Sequence, residues 1–145
     1  MKKLLLLLFF FNVLFQSNAQ SLRSINLNSY KYVIIDEVSG GKQGETRRFL
    51  VKNLKKAGYN VINLNNPLKT HSKIPDDLSN SPEMGIYLTF FLDAGFWGYK
   101  AKLILYDYNN QKLLERTGES GSLLSKAVKN SISSLVDFGY IYEKP

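Results

Sequence analysis

Cysteine is absent from this chain of 145 residues. No disulfide can staple it, no thiolate can ligate a metal, and no cysteine can carry a lipid at an export cleavage point. Histidine is nearly absent: His71, between Thr70 and Ser72, is the only one. The usual zinc spacings need several Cys or His side chains and are excluded. A Ser-His-Asp arrangement would have to run through His71, whose polar neighbours mark it as a solvated loop residue. No metal and no cofactor is expected. No basic run and no nucleic-acid motif occurs, so nucleic acid is not an expected partner. Beyond the first residues, no apolar run approaches the roughly 20 residues that cross a bilayer as a helix.

What is present begins with an export pattern. Met1-Lys2-Lys3 is a positive start, Leu4 to Phe15 is apolar except for Asn12, and Ser17-Asn18-Ala19 supplies small residues where a signal peptidase reads. The pattern predicts a cleavable signal peptide over residues 1–19, cut after Ala19, and it resembles bacterial export signals. Its apolar part is too short for a membrane anchor. A linker or loose segment is expected over 20–29, and one domain over 30–145. The product is expected to be secreted or periplasmic, without a transmembrane segment. Cleavage lowers the formal charge of +7 by the two charges of Lys2 and Lys3, to +5. A modest positive charge favours anionic lipid, polysaccharide or acidic protein surfaces.

The segment Tyr30 to Ile35, β-branched and aromatic and closed by Asp36 and Glu37, predicts a strand. Ser39 to Gly44 predicts a flexible loop. Glu45 to Ala57 predicts a helix with Leu50, Leu54 and Ala57 on one face; Arg48, Lys52, Lys55 and Lys56 lie opposite. Gly58 predicts a left-handed stop, followed at once by a strand over Tyr59 to Leu64. Such a β-α-β unit makes two parallel strands. Asn65 to Glu83, with three of the four prolines, predicts a long loop holding one helical turn near Pro75 to Leu78.

Gly85 to Leu92 alternates, with Ile86, Leu88, Phe90 and Leu92 on one face. Tyr99 to Asp107 alternates again, with Ala101, Leu103 and Leu105 inward and Lys100 and Lys102 outward. Tyr108 to Gln111 predicts a turn and Lys112 to Thr117 a third strand. Strict alternation predicts a sheet covered on one face and wet on the other. A last helix, capped by Ser120 or Ser122 and ended by Gly139, carries Leu124, Ala127, Val128, Ser131, Leu135 and Phe138 at helical spacing. Tyr140 to Tyr142 would pack as a tail. The fold class is α+β: two layers, a mixed sheet of about five strands and two main helices, in the order β-α-β-loop-β-β-β-α.

Three features bear on catalysis. Gly118-Glu119-Ser120-Gly121-Ser122 fails as a nucleophile elbow, which needs glycine where Ser122 stands; helix capping explains it better. Gly40 to Thr46 lies where a phosphate loop would, between strand and helix. Its Lys42 comes too early for one, although helix-start amides can hold an anion. Asp36, Glu37, Asp93 and Asp107 stand at strand ends; two of them face to face at about 5–10 Å could act as a hydrolytic pair. Acids at strand ends more often hold turns.

Asp93-Ala94-Gly95-Phe96-Trp97-Gly98-Tyr99 joins two strands. A hairpin tip is ordinarily polar, yet this one carries Phe96, Trp97 and Tyr99. They are the candidate contacts for a protein or glycan partner, since exposed aromatic anchors serve both. The alternative is that the loop folds back and caps the core. Arg48, Lys52, Lys55 and Lys56 are the candidate contacts for an anionic surface.

Ala101 to Asp107, then Lys112 to Arg116, then an amphipathic final helix, together with the opening β-α-β order, resemble small exported domains of the TolB amino-terminal and LpoB-like type. That resemblance implies a non-catalytic accessory protein of the bacterial envelope that acts by binding. Its relatives are often lipoproteins; this chain lacks the lipid-bearing cysteine. Two functions follow as expectations: an exported binding module or, alternatively, a small secreted hydrolase using carboxylates at strand ends.

Overall fold

A run of β-branched residues, Val33-Ile34-Ile35, cannot bury only alternate side chains, and all three are buried in the first strand, β1 (Tyr32–Gly40). The computed structural model describes residues 25–64, 74–137 and 139–143. The predicted signal peptide, His71, Phe138 and the first half of the Asn65–Glu83 loop lie outside them. After β1 come α1 (Gln43–Lys56), β2 (Asn60–Asn63), the short α2 (Asp76–Asn80), β3 (Gly85–Gly95), β4 (Gly98–Tyr106), β5 (Lys112–Ser120) and α3 (Leu124–Val136). The strands make one mixed sheet in the order β2-β1-β3-β4-β5. β1 runs parallel to both β2 and β3, and the other neighbours are antiparallel. The fold is α+β, with the element order expected from the sequence.

Alternation decides the core. Ile86, Leu88, Phe90 and Leu92 of β3 and Ala101, Leu103 and Leu105 of β4 point to one side and are fully buried. Leu50 and Leu54 of α1 meet them there, as do Leu124, Val128, Ile132 and Leu135 of α3. Both long helices therefore cover the same face. α1 ends as the glycine predicts. Gly58 takes φ +97°, its N–H donates to the Lys55 carbonyl at 3.0 Å, and the Tyr59 N–H donates to that of Leu54 at 3.1 Å.

Several boundaries move. β1 continues through Ser39 and Gly40, read as loop, because they pair with Phe91 and Leu92 of β3. β3 and β5 are also longer than expected, since their cross-strand pairing runs on to Gly95 and Ser120. Neither predicted serine occupies the capping position of α3. Leu123 does, and the Ser120 hydroxyl, still in β5, accepts the Leu123 N–H at 3.3 Å.

The face turned away from the long helices is not uniformly wet. Over β1 and β2, Ile34 and Ile62 pack beneath Leu78 of α2, with Tyr32, Met84 and Tyr87 around them. Only the β3-β4-β5 part stays open. Lys31 forms an ion pair with Asp77 of α2, and the Tyr32 hydroxyl donates to the same carboxylate at 2.9 Å. The Lys31 ammonium first, then the Tyr32 hydroxyl, hold the Asp77 carboxyl below the usual carboxylate range. A carboxyl whose pKa is lower in the folded chain adds stability in full above its unfolded value of about 3.9 and loses it as pH falls through the folded value. Asp77→Asn is therefore expected to lower the urea midpoint near neutral pH. The gap to the parent should close in acid, as followed in a titration of midpoint against pH.

The first and last described segments are tied together. Leu27 is buried although its neighbours are polar. Tyr140 stacks on Tyr59 with ring centroids 4.1 Å apart, and its hydroxyl donates to the Tyr30 carbonyl at 2.7 Å. The Glu143 N–H donates to the Asn28 carbonyl at 2.9 Å. Burial pushes the Tyr59 phenol pKa up, and its hydroxyl donates to the Leu135 carbonyl at 3.0 Å.

Candidate functional site

The β3–β4 hairpin runs past the buried core, with β5 beside β4 as far as Tyr99. The last pair buried on both strands is Leu92 with Ala101; beyond it come Asp93 with Lys100, Ala94 with Tyr99, and Gly95 with Gly98. At about 3.4 Å per residue the tip stands roughly 10 Å beyond that pair. Phe96 and Trp97 alone make the turn. Bulky residues resist the positive φ that two-residue turns favour. Here the positive φ falls on Gly98, at +126°, where a side chain would run into the Ser120 carbonyl.

Phe96 is 93% exposed and Trp97 89% exposed, their rings edge to face with centroids 5.2 Å apart. At that exposure neither ring caps the core. Tyr99, the third aromatic of the group, behaves differently. It is half-buried against the core edge, and the Lys42 ammonium sits 5.5 Å from its ring centroid and donates to its hydroxyl at 3.4 Å. Lys42 precedes α1 with a left-handed φ of 54°; the sequence drew notice to it only as a misplaced phosphate-loop lysine, not as a neighbour of the hairpin. Trp97, Tyr99 and Lys100 of the hairpin and Glu119 and Ser120 of β5 line an open groove of about 480 Å³.

The second candidate group lies elsewhere. Arg48, Lys52, Lys55 and Lys56 are all exposed on α1, and α1 lies on the face of the sheet covered by α3. Arg47, next to Arg48, turns inward instead. It is buried and donates to the Asn63 side-chain oxygen, and desolvation lowers its pKa.

Of the strand-end acids, Asp93 and Asp107 lie far apart. Asp93 lies opposite Lys100 at one end of β4, while Asp107 follows the other end, seven residues along. At about 3.4 Å per residue that is more than 20 Å, far beyond the reach of a hydrolytic pair. The Asp107 carboxylate instead accepts the N–H groups of Asn109 and Gln111, at 2.9 and 2.8 Å, and so holds the β4–β5 turn. Asp36 sits at the irregularity of β1 between Ile35 and Glu37, in the field of Arg47. At the start of α1, the Thr46 N–H donates to the Lys42 carbonyl and the Gly41 N–H to that of Leu92. Gly118 and Ser120 belong to β5, not to a strand-to-helix elbow. Among the described residues, no three Asp, Glu or His side chains come together as a metal would require.

No family model matches the chain, and no curated protein sequence matches it. Among solved structures, TolB from Acinetobacter baumannii is similar with a TM-score of 0.48 at 13% identity. The match covers 77% of this chain and 28% of that one, so the chain spans about a quarter of its length.

Proposed function

We propose that this chain is an exported, non-catalytic binding module of the bacterial envelope or exterior, and that Phe96 and Trp97 are its contact surface. The observation that carries the reading is the placing of two large rings, almost wholly exposed, at the turn of the β3–β4 hairpin beyond its last buried pair. Solvent gains nothing from such a tip, whereas a partner that buries it gains most of two aromatic side chains. The shape favours a protein over a glycan. A knob needs a concave partner, and rings set edge to face at 89° offer no flat platform for a sugar. The export pattern of residues 1–19 supports the location. Among the described residues, no helix is long and apolar enough to cross a membrane. Asp93 and Asp107, two of the four acids the hydrolase alternative would draw on, stand at opposite ends of β4 and cannot act together.

The test uses the one tryptophan of the chain. Its emission in the free protein should be that of a water-exposed indole. Trp97→Ala should change stability by less than about 0.5 kcal/mol, as surface substitutions do. A photocrosslinking phenylalanine analogue at position 96 should join one discrete envelope protein, and Trp97→Ala should abolish that product. The same analogue at Tyr108, exposed on the β4–β5 turn, should not give it. A blue-shifted emission in the free protein, or a crosslink that ignores Trp97→Ala, overturns the reading. Binding to isolated envelope glycans that depends on Trp97 replaces the protein partner by a glycan.

A further inference from the structure

The cations of this protein fall into two populations. On the sheet side, Lys31 pairs with Asp77, Lys100 with Glu119 at 3.2 Å, Lys102 with Glu115 at 2.7 Å and Lys112 with Glu115 at 3.0 Å. On the helical side, Arg48, Lys52, Lys55 and Lys56 of α1 and Lys126 and Lys129 of α3 are all exposed. Among the described residues, none of those six has an ion-pair partner. Helical periodicity explains where they point. Leu50 and Leu54 fix the inward side of α1, and Leu124, Val128, Ile132 and Leu135 that of α3. The six cations occupy the turns opposite these residues, so both sets face away from the sheet. The two helices touch and cover the same sheet face, so the six charges share one side of the domain. Within the two helices the only acid is Glu45.

We infer that this helical face is a docking surface for an anionic phospholipid bilayer. Two helices lying side by side on a sheet present a broad face rather than a cleft. Two grooves of the molecule lie elsewhere, one at the hairpin and one between α2 and the sheet. Of the exposed large apolar side chains, one adjoins the two helices: Leu123, at the cap of α3. Six unpaired cations spread over a broad helical face match a plane of phosphate headgroups. Attachment of this kind is peripheral, is screened by salt, and leaves the hairpin free for another partner.

The experiment is flotation of the exported chain with vesicles of phosphatidylcholine alone or mixed with phosphatidylglycerol. The salt is set at about 0.01 M and about 1 M, where the screening length falls from roughly 30 to 3 Å. The chain should float only with the anionic vesicles and only at low salt. Removing cations in the Arg48→Gln, Lys52→Gln, Lys55→Gln and Lys56→Gln combination should weaken partitioning by about fivefold per charge, and Lys126→Gln with Lys129→Gln likewise. Lys102→Gln with Lys112→Gln, which removes paired cations from the other side, should change little. Circular dichroism establishes that each variant keeps its fold. Equal flotation with neutral vesicles overturns the inference, as does binding that survives high salt or an equal loss in the Lys102 and Lys112 variant. So does loss of flotation on Trp97→Ala, which would assign the contact to the hairpin. Tighter retention on a soluble anionic polysaccharide than on the vesicles would also overturn the choice of a bilayer.

Discussion

Replacing Leu105 by alanine is expected to lower the stability of this domain by about 2–5 kcal/mol. Leu105 has no exposed surface, and on the same face of the sheet it lies between Leu88 of β3 and Leu114 of β5, both also buried. Truncation there removes apolar contact on two flanks and leaves a cavity that paired strands cannot close by shifting. A domain of this size is typically stable by about 5–15 kcal/mol, so the loss is a large share of the total. No disulfide exists to offset it. Ile104, the next residue along β4, points to the open face and is only half-buried. Ile104→Ala should therefore cost much less, about 1 kcal/mol. Denaturant midpoints for the two variants check both the magnitude and the register. A strand slipped by one residue exchanges the inward and outward sets, and the two costs would then change places.

What the sequence conveyed well is what local periodicity carries. The inward sets of β3 and β4 are each decided by alternation within one strand, and all seven predicted residues are buried. The inward side of α3 is likewise local: Leu124, Ala127, Val128, Ser131 and Leu135 follow one helical turn after another and are all buried. Gly58 stops α1 through two hydrogen bonds that reach back only to Leu54 and Lys55. Features that depend on distant partners were not legible. Leu78 sits among Pro, Asp and Ser without any period, yet it closes a second core, because the chain brings it over Ile34 and Ile62. Leu27 is hidden in a polar segment, which the Tyr140 region ties down across the length of the chain.

The same distinction holds for the candidate site. The sequence marked a connection from Asp93 to Tyr99 carrying Phe96 and Trp97; that it closes in two residues depends on how far β3 and β4 pair. Their exposure is a property of the assembled sheet. The separation of Asp93 from Asp107 follows from the β3–β4 register, which puts them at opposite ends of one strand. The basic stripe of α1 was legible as four residues on one helical face. Its extension through Lys126 and Lys129 was not, since it requires α1 and α3 to share a layer. Nor was the contrast with Lys100 and Lys102. These look equally free in the sequence, and strand pairing sets Lys100 opposite Glu119 and brings Lys102 to Glu115.

Gly118→Val is expected to destabilise the domain by about 3 kcal/mol or more, against the direction that strand propensity gives. Gly118 lies inside β5, opposite Ala101, and valine is a better strand residue than glycine by up to about 1 kcal/mol. The structure reverses the sign because α3 crosses β5 directly over this position. A Cβ added at Gly118 would meet the Ala127 carbonyl oxygen and the Ser131 amide nitrogen, with the Asn130 carbonyl carbon at 2.9 Å. All three are helix backbone atoms, which cannot swing aside as a side-chain end can. Overpacking against side chains costs about 1–3 kcal/mol, and a backbone obstacle belongs at or above the top of that range. Relief requires α3 to lift, which uncovers Leu124, Val128 and Ile132, all buried in the parent. Gly44→Ala supplies the contrast. Gly44 lies within α1, has open space where its Cβ would stand, and should gain about 0.5–1 kcal/mol from the better helix former. Thermal melts of the two variants beside the parent decide the matter. A Gly118→Val melting temperature equal to or above that of the parent would mean that α3 does not rest on β5, and the helical layer that gathers the six cations would lose its foundation.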